Sequence, residues 1–422
     1  NSREAGVMAT AVVGGRLESE LVRDGSDRTK GLSRRTVLGT IAWSSLLSAC
    51  TSPMTGSGET PAANALATPA AGQTLGTGSV RIALIVPASA NGNAGAIATG
   101  LRNAADLALR EFKGADLQIL VKDDRGTPEG ARAAAGEAIQ EGARLILGPL
   151  FAPSVSAAAG VARPAGVPVI AFSTDTSVAE RGVYLLSFLP QSDVERIVSF
   201  AGMRGRHAIA ALLPANGYGT VVEAALQKYA SANNSRVITI QRYQLDRVSM
   251  QVQAEAILPV LQRKEADTLL LPDAGDAAPF LAQYLASKNV RQGDIQILGS
   301  GQWDDPRILA EPALRGAWYP GPDRAAYSAF AARYQAAFGA APVRTASLGY
   351  DAVSLAAGLA ARYGQQAFTA QTIANPNGFL GVDGAFRFLP DGINQRGLAV
   401  YEVGAGTATQ IDPAPRTFSR TM

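Results

Sequence analysis

From Val80 onward the chain repeats one unit: a short β-rich apolar run, a turn, then a helical stretch. The first candidate strands are "VRIALIVP", "LQILVKDD", "ARLILGPL" and "PVIAFST". After a gap come "HAIAALLPA", "RVITIQRYQ", "ADTLLLPDA" and "IQILGSGQ". Most are continuous apolar runs, the pattern of parallel strands covered on both faces. In the helical stretches the apolar positions follow a 3.6-residue period. Ile97, Leu101, Ala104, Ala108 and Phe112 fall on one face of the first. The next opens with Thr127 as N-cap, Pro128 at the first helical position and Glu129 near the positive helix end.

Two successive sets of four such units predict an α/β fold of two doubly wound, Rossmann-like lobes. The stretch from Val80 to Asp412, about 335 residues, is also more than one core usually supports. The link between the sets is "VYLLSFLPQSD" (Val183–Asp193), and a second crossing is expected in "GAWYPGPD" (Gly316–Asp323). The final "GAFRFLPDGINQRGLAVYEVG" alternates around a Pro-Asp-Gly turn and reads as a β-hairpin. The expected boundaries are 80–190 plus 323–380 for one lobe and 191–322 plus 381–412 for the other. A multi-crossing hinge of this kind makes a clamp, with ligand held between the lobes at the carboxyl ends of the strands.

The single cysteine, Cys50, closes the run "SRRTVLGTIAWSSLLSAC". Its apolar part, Thr36 to Ala49, is 14 residues, too short to cross a bilayer core as a helix. A basic start, a short apolar centre and small residues before a fixed point describe an export signal, with Arg34 and Arg35 as a twin-arginine pair. Residues 1–49 are therefore expected to be pre-sequence and signal. "LSAC" resembles the lipobox of bacterial lipoproteins, which implies that Cys50 is lipidated and anchors the protein. Thr51, rather than Asp, after that cysteine favours the outer membrane over the inner. Residues 50–79 are almost all Ala, Pro, Gly, Thr and Ser, the composition of a disordered tether.

Charge excludes one class of partner. Of the formal +3, residues 1–35 hold 7 basic and 5 acidic side chains, leaving 31 against 30; no polybasic face for nucleic acid is implied. Catalysis is not expected either. His207 is the only histidine, no serine sits in a G-x-S-x-G elbow, and one His with one Cys cannot build a metal cluster. "NGNAGAIATG" is not a dinucleotide fingerprint, so no cofactor is expected. Asp123 and Asp124 point to opposite faces of a strand and suit caps or ion pairs.

The segments "KDDRGTPEGARAAAGEAIQEGARLILGPL", "PVIAFSTDTSVAERGVYLLSFLPQSD" and "ALLPANGYGTVVEAAL" resemble, in order, the type I periplasmic binding proteins of the leucine/isoleucine/valine-binding group. On a lipobox protein, "FSTDTSVAERGVYLLSFLPQSD" is also similar to lipoproteins described as penicillin-binding protein activators. The first resemblance implies a periplasmic receptor for an amino-acid-like or small polar solute, partnered by an ABC permease. The second implies a regulator whose partner is a cell-wall synthase. By the first resemblance, Ser154, Ser173 and Thr174 would hold the ligand carboxylate in the first lobe. Hydroxyls beside helix N-termini can do this, and equally can be plain caps or turn residues. Tyr218 in "NGYGT" would close from the second lobe. For the acid that meets an ammonium the family position holds Gly301 or Gln302, and Asp273 or Asp276 lies one loop away; Asp276 and Gln302 are the expected ligand contacts.

Overall fold

The computed structural model of the protein describes residues 74–114 and 116–418. Arg34, Arg35, Cys50 and most of the expected tether lie outside the described residues. The tether's end does not run to Val80. β1 (Thr74–Leu75) pairs antiparallel with Leu120 and Ile119, because Leu75 has a core to enter and is buried there.

The first lobe then alternates strand and helix. β2 (Val80–Val86), α1 (Gly92–Glu111), β3 (Leu117–Asp123), α2 (Pro128–Gln140), β4 (Ile146–Leu147), α3 (Ala152–Ala162), β5 (Val169–Ala171) and β6 (Val183–Leu185) follow in order. The sheet order is β1-β3-β2-β4-β5-β6, parallel except at β1. Successive side chains of β2 go to opposite faces, as the pleat requires. Ile82, Leu84 and Val86 join one buried cluster, while Ala83 and Ile85 join another with the alanines of α2 and α3. Thr127 caps α2 as expected, its Oγ1 accepting the Gly130 N–H at 3.0 Å. Asp123 and Asp124 accept backbone N–H groups of the β3–α2 turn, from Arg125 and Gly126 respectively.

The second lobe opens with α4 (Pro190–Met203), β7 (Ala208–Pro214), α5 (Gly217–Ala232), β8 (Arg236–Tyr243) and α6 (Arg247–Gln262). It continues through β9 (Thr268–Leu270), α7 (Ala277–Ser287), β10 (Gln296–Leu298), α8 (Pro306–Leu309) and β11 (Trp318–Gly321). Val183–Leu185 and Trp318–Gly321, expected as links, are thus the last parallel strands of the two sheets, and the crossings follow them. The chain returns to the first lobe for α9 (Arg324–Phe338), α10 (Ala346–Tyr363) and α11 (Ala370–Ile373). α10 lies beside α1 and supplies Leu348, Val353 and Leu355 to the β2 cluster.

One boundary moves. The second lobe was expected to regain the chain at 381, yet the three-stranded sheet β12 (Phe379–Gly381), β13 (Gly384–Phe388) and β14 (Asn394–Arg396) belongs with the first. The reason is apolar: Phe386 and Phe388 are buried in the first lobe's core, with Phe388 5.4 Å from the Tyr184 ring. The third crossing therefore falls at 397–398. β15 (Ala399–Val403) and β16 (Ala408–Asp412) then complete the order β16-β15-β11-β10-β9-β7-β8. After β16 the chain turns back once more. Pro415 lies against Gly397, and Phe418 sits beside Gly378 with the Arg387 guanidinium 4.7 Å from its ring.

Both sheets place their first parallel strand between the second and third, which sets a switch point at the carboxyl ends of the strands.

Candidate functional site

A cavity of about 420 Å³ lies where the crossings meet those carboxyl ends. The first lobe contributes Thr174, just after β5, and Arg344, just before α10. The crossings contribute Phe188, Leu189, Pro322 and Leu398, and the end of β14 contributes Arg396. The second lobe contributes Pro190, Ser192 and Asp193 from the first turn of α4, Tyr218 from the first turn of α5, and Gly301 with Gln302 after β10. A larger groove of about 810 Å³ runs past Ala143, Pro168 and Gly182, at the amino ends of β4, β5 and β6. In doubly wound sheets ligands bind at the opposite end, so the smaller cavity is the candidate.

Local sequence explains how the second-lobe groups are held. Asn216 caps α5 through Gly219 N–H at 3.0 Å, and a Cβ on Gly219 would lie 1.8 Å from the Pro214 carbonyl oxygen. Only glycine permits that close turn, and the turn presents Tyr218. The tyrosine hydroxyl donates to the Pro272 carbonyl at 3.0 Å, and burial raises its pKa. Asp193 accepts the Gly301 N–H on Oδ2 at 2.9 Å. A Cβ at 301 would sit 3.0 Å from that oxygen, so glycine also leaves room for the acid. Burial pushes the Asp193 carboxyl up to about 7, outweighing the hydrogen bond from Gly301.

The hinge side is cationic and aromatic. Phe188 lies between two guanidinium groups, Arg344 at 4.6 Å and Arg396 at 4.8 Å from its ring centroid. Arg344 donates to Asp383 at 2.6 Å. Arg396 is buried, and its Nε donates to the Ser187 carbonyl at 3.0 Å. Asp351, also buried, has its carboxyl held well above the usual range by burial and by the neighbouring Asp383 carboxylate.

Of the residues singled out from sequence, Thr174, Tyr218 and Gln302 line the cavity. Ser173 lies buried behind it, its Oγ accepting the Asp175 N–H at 3.1 Å. Ser154 is fully buried in the first turn of α3, with its hydroxyl unpartnered, and does not line the cavity. Asp276 is not brought in at all. Its side chain is 92% exposed, before α7 and 3.6 Å from the Arg307 guanidinium. Asp273, the other acid of that loop, accepts the Tyr243 hydroxyl at 2.9 Å. His207 is exposed at the start of β7, its Nδ1 3.3 Å from Ser235 Oγ.

The sequence model described as periplasmic binding protein matches residues 79–408. The chain belongs to the periplasmic binding protein family. Solved structures share the fold of this binding protein at low identity. An ABC transporter substrate-binding protein from Sphaerobacter thermophilus is 18% identical, with a TM-score of 0.62 over 79% of this chain and 96% of that one. A solute-binding protein of an ABC transporter from Rhodopseudomonas palustris, in complex with 3,4-dihydroxybenzoic acid, is 21% identical, with a TM-score of 0.56 over 79% and 96%. The leucine-binding protein LivK from Thermotoga maritima is 19% identical, with a TM-score of 0.53 over 78% and 97%. No curated protein sequence matches.

Sequence reasoning missed the charged groups of this binding protein's cleft: Asp193, Arg344 and Arg396. Asp193 ends the quoted link "LPQSD", three residues after a proline that can open a helix; that was the available signal. Arg396 follows a turn in an alternating hairpin, where an arginine looks like an ordinary solvated position.

Proposed function

We propose that this periplasmic binding protein is a non-catalytic solute receptor that closes its two lobes on an amino-acid-like ligand and presents it to an ABC permease. The observation that carries this reading is a cavity at the carboxyl ends of the strands, lined from both lobes, in which an acid (Asp193), a hydroxyl (Thr174), an amide (Gln302) and arginines face an apolar wall. Its size falls in the usual range for small-ligand sites. The opposite charges suit a zwitterion, with Asp193 for the ammonium, the task that Asp276 cannot perform from its exposed position. Closure follows because a ligand bound between the lobes favours the closed state over the open one.

Thermal unfolding of residues 74–418 against leucine, phenylalanine, benzoate, short peptides and cell-wall fragments tests this. A solute at 100 times its Kd should add about 2.7 kcal/mol of stability, a melting shift of several degrees. Folded protein with no shift across the panel would overturn the solute reading and turn the search to a cell-wall synthase.

Export through Arg34 and Arg35, with anchoring at Cys50, belongs to the same proposal. A lipid anchor would hold the receptor at a membrane face of the periplasm. Cys50→Ser should move the protein from the membrane to the soluble periplasmic fraction, and retention in the membrane fraction would overturn the anchor.

A further inference from the structure

We infer that Arg396 is the carboxylate anchor of the solute, through the two terminal nitrogens of its guanidinium. The inference rests on the solute-receptor reading and names the residue that selects the ligand's acidic group.

Arg396 is 6% exposed, and its Nη1 and Nη2 have no hydrogen-bond partner. A guanidinium carries five N–H donors in a planar fork, and here only Nε is engaged, by the Ser187 carbonyl. Buried charges are ordinarily paired, since an unpaired one loses its hydration without compensation. The nearby acids Asp383 and Asp351 favour its charge through space, but neither hydrogen-bonds to it. Asp383 directs Oδ1 to Arg344, and Asp351 accepts the Val382 N–H at 2.8 Å. Neither comes within ion-pair distance of Arg396 among the described residues. The site therefore holds a cation whose outer edge lacks the two acceptors that a carboxylate supplies in bidentate geometry.

Position agrees with chemistry. Arg396 lines the cavity, one residue before the third crossing, and its guanidinium lies against the Phe188 ring that forms part of the wall. Both terminal nitrogens are closed from solvent in this structure, so a carboxylate reaches them only as the cavity wall shifts, and the apolar body of the solute then rests on Phe188, Leu189 and Leu398. The first-lobe hydroxyls are less suited to the task. Ser154 is away from the cavity and Ser173 is occupied by its own turn.

Calorimetric titration with acid and amide pairs tests the assignment: L-phenylalanine against L-phenylalaninamide, and benzoate against benzamide. Two charge-assisted hydrogen bonds should make the wild-type protein prefer the acid of the bound pair by about 100-fold. Arg396→Gln should reduce that preference to a few-fold. Arg396→Lys, which keeps the charge and loses the fork, should fall between. The wild-type acid/amide ratio needs no variant, so the inference stays testable if Arg396→Gln fails to fold. Equal affinity of wild type for acid and amide, or an unchanged preference in folded Arg396→Gln, would overturn the anchor and leave the receptor reading standing. Absence of binding to these pairs and to leucine against leucinamide, with no melting shift across the solute panel, would overturn the two together.

Discussion

Replacing Trp303 with alanine is expected to lower the stability of the second lobe by about 3–5 kcal/mol, the usual range for deleting a buried aromatic side chain. Trp303 is fully buried, and its Nε1–H donates to the Asp273 carbonyl at 2.9 Å. The indole lies flat on Gly299, where a Cβ would come within 2.1 Å of its ring. It also contacts the Tyr319 ring, with centroids 6.5 Å apart. The site feels the same change, because Gly301 and Gln302 form the short 3₁₀ turn that ends at this residue. With the indole gone, the turn keeps the Ser300 hydroxyl's bonds to the Pro272 carbonyl and the Gln302 N–H but loses its packing against Gly299, and the Gly301 N–H meets Asp193 in a less fixed geometry. Urea denaturation should give the stability loss, and titration of any solute that stabilises the wild type should show weaker binding. Trp303→Phe refills most of the volume but strands the Asp273 carbonyl, at a cost of about 1–3 kcal/mol. If Trp303→Ala unfolds within 1 kcal/mol of wild type, the turn is held by something other than the indole.

The fold was legible because each parallel strand is covered on both faces and so must be apolar throughout, as in "RIALIV" and "AIAALL". Those runs locate both sheets, and the carboxyl end of each strand locates the rim of the cleft. Thr174, Tyr218 and Gln302 were marked by the family resemblance and agree with that rule, since each lies within four residues of a strand's carboxyl end. The rule says which end of a strand a residue occupies, not which way its loop turns. Asp276 shows the difference: it lies six residues past β9, and the loop carries it to solvent and Arg307. Arg344 and Arg396 escape the rule entirely, because they reach the cleft from hinge-side segments that no strand end announces. The hairpin was legible as a hairpin, but not its lobe. That is decided by Phe386 and Phe388 finding the Tyr184 side of the first core, a contact made across 200 residues of chain.

Asp193→Asn should stabilise the ligand-free protein by about 2–4 kcal/mol at pH 8 and by nothing near pH 4. The carboxyl is held at about 7 by burial in the cleft wall, against about 3.9 in an unfolded chain. Between those values the folded state retains a proton that the unfolded state has released. Stability therefore falls as pH rises from about 4 to about 7 and is level above that. Three units at 1.36 kcal/mol each would give about 4, and the partial exposure of the side chain lowers the figure. Asn keeps an oxygen for the Gly301 N–H, so the hydrogen bond at 2.9 Å survives while the ionisation is removed. Asp124 and Asp351 are also raised by burial, so the variant retains some slope; the comparison is between the two pH profiles. Ligand reverses the sign of the acid's contribution. An ammonium beside Asp193 favours the carboxylate, so affinity for an amino acid should climb through the same window and level off above about pH 7. Benzoate, with no ammonium, should show no such climb, and the Asn variant should lose the amino acid while keeping benzoate. A flat amino-acid profile in the wild type would mean that Asp193 destabilises the apo protein without serving the ligand. The acid would then have to be explained by its contact with Gly301 alone.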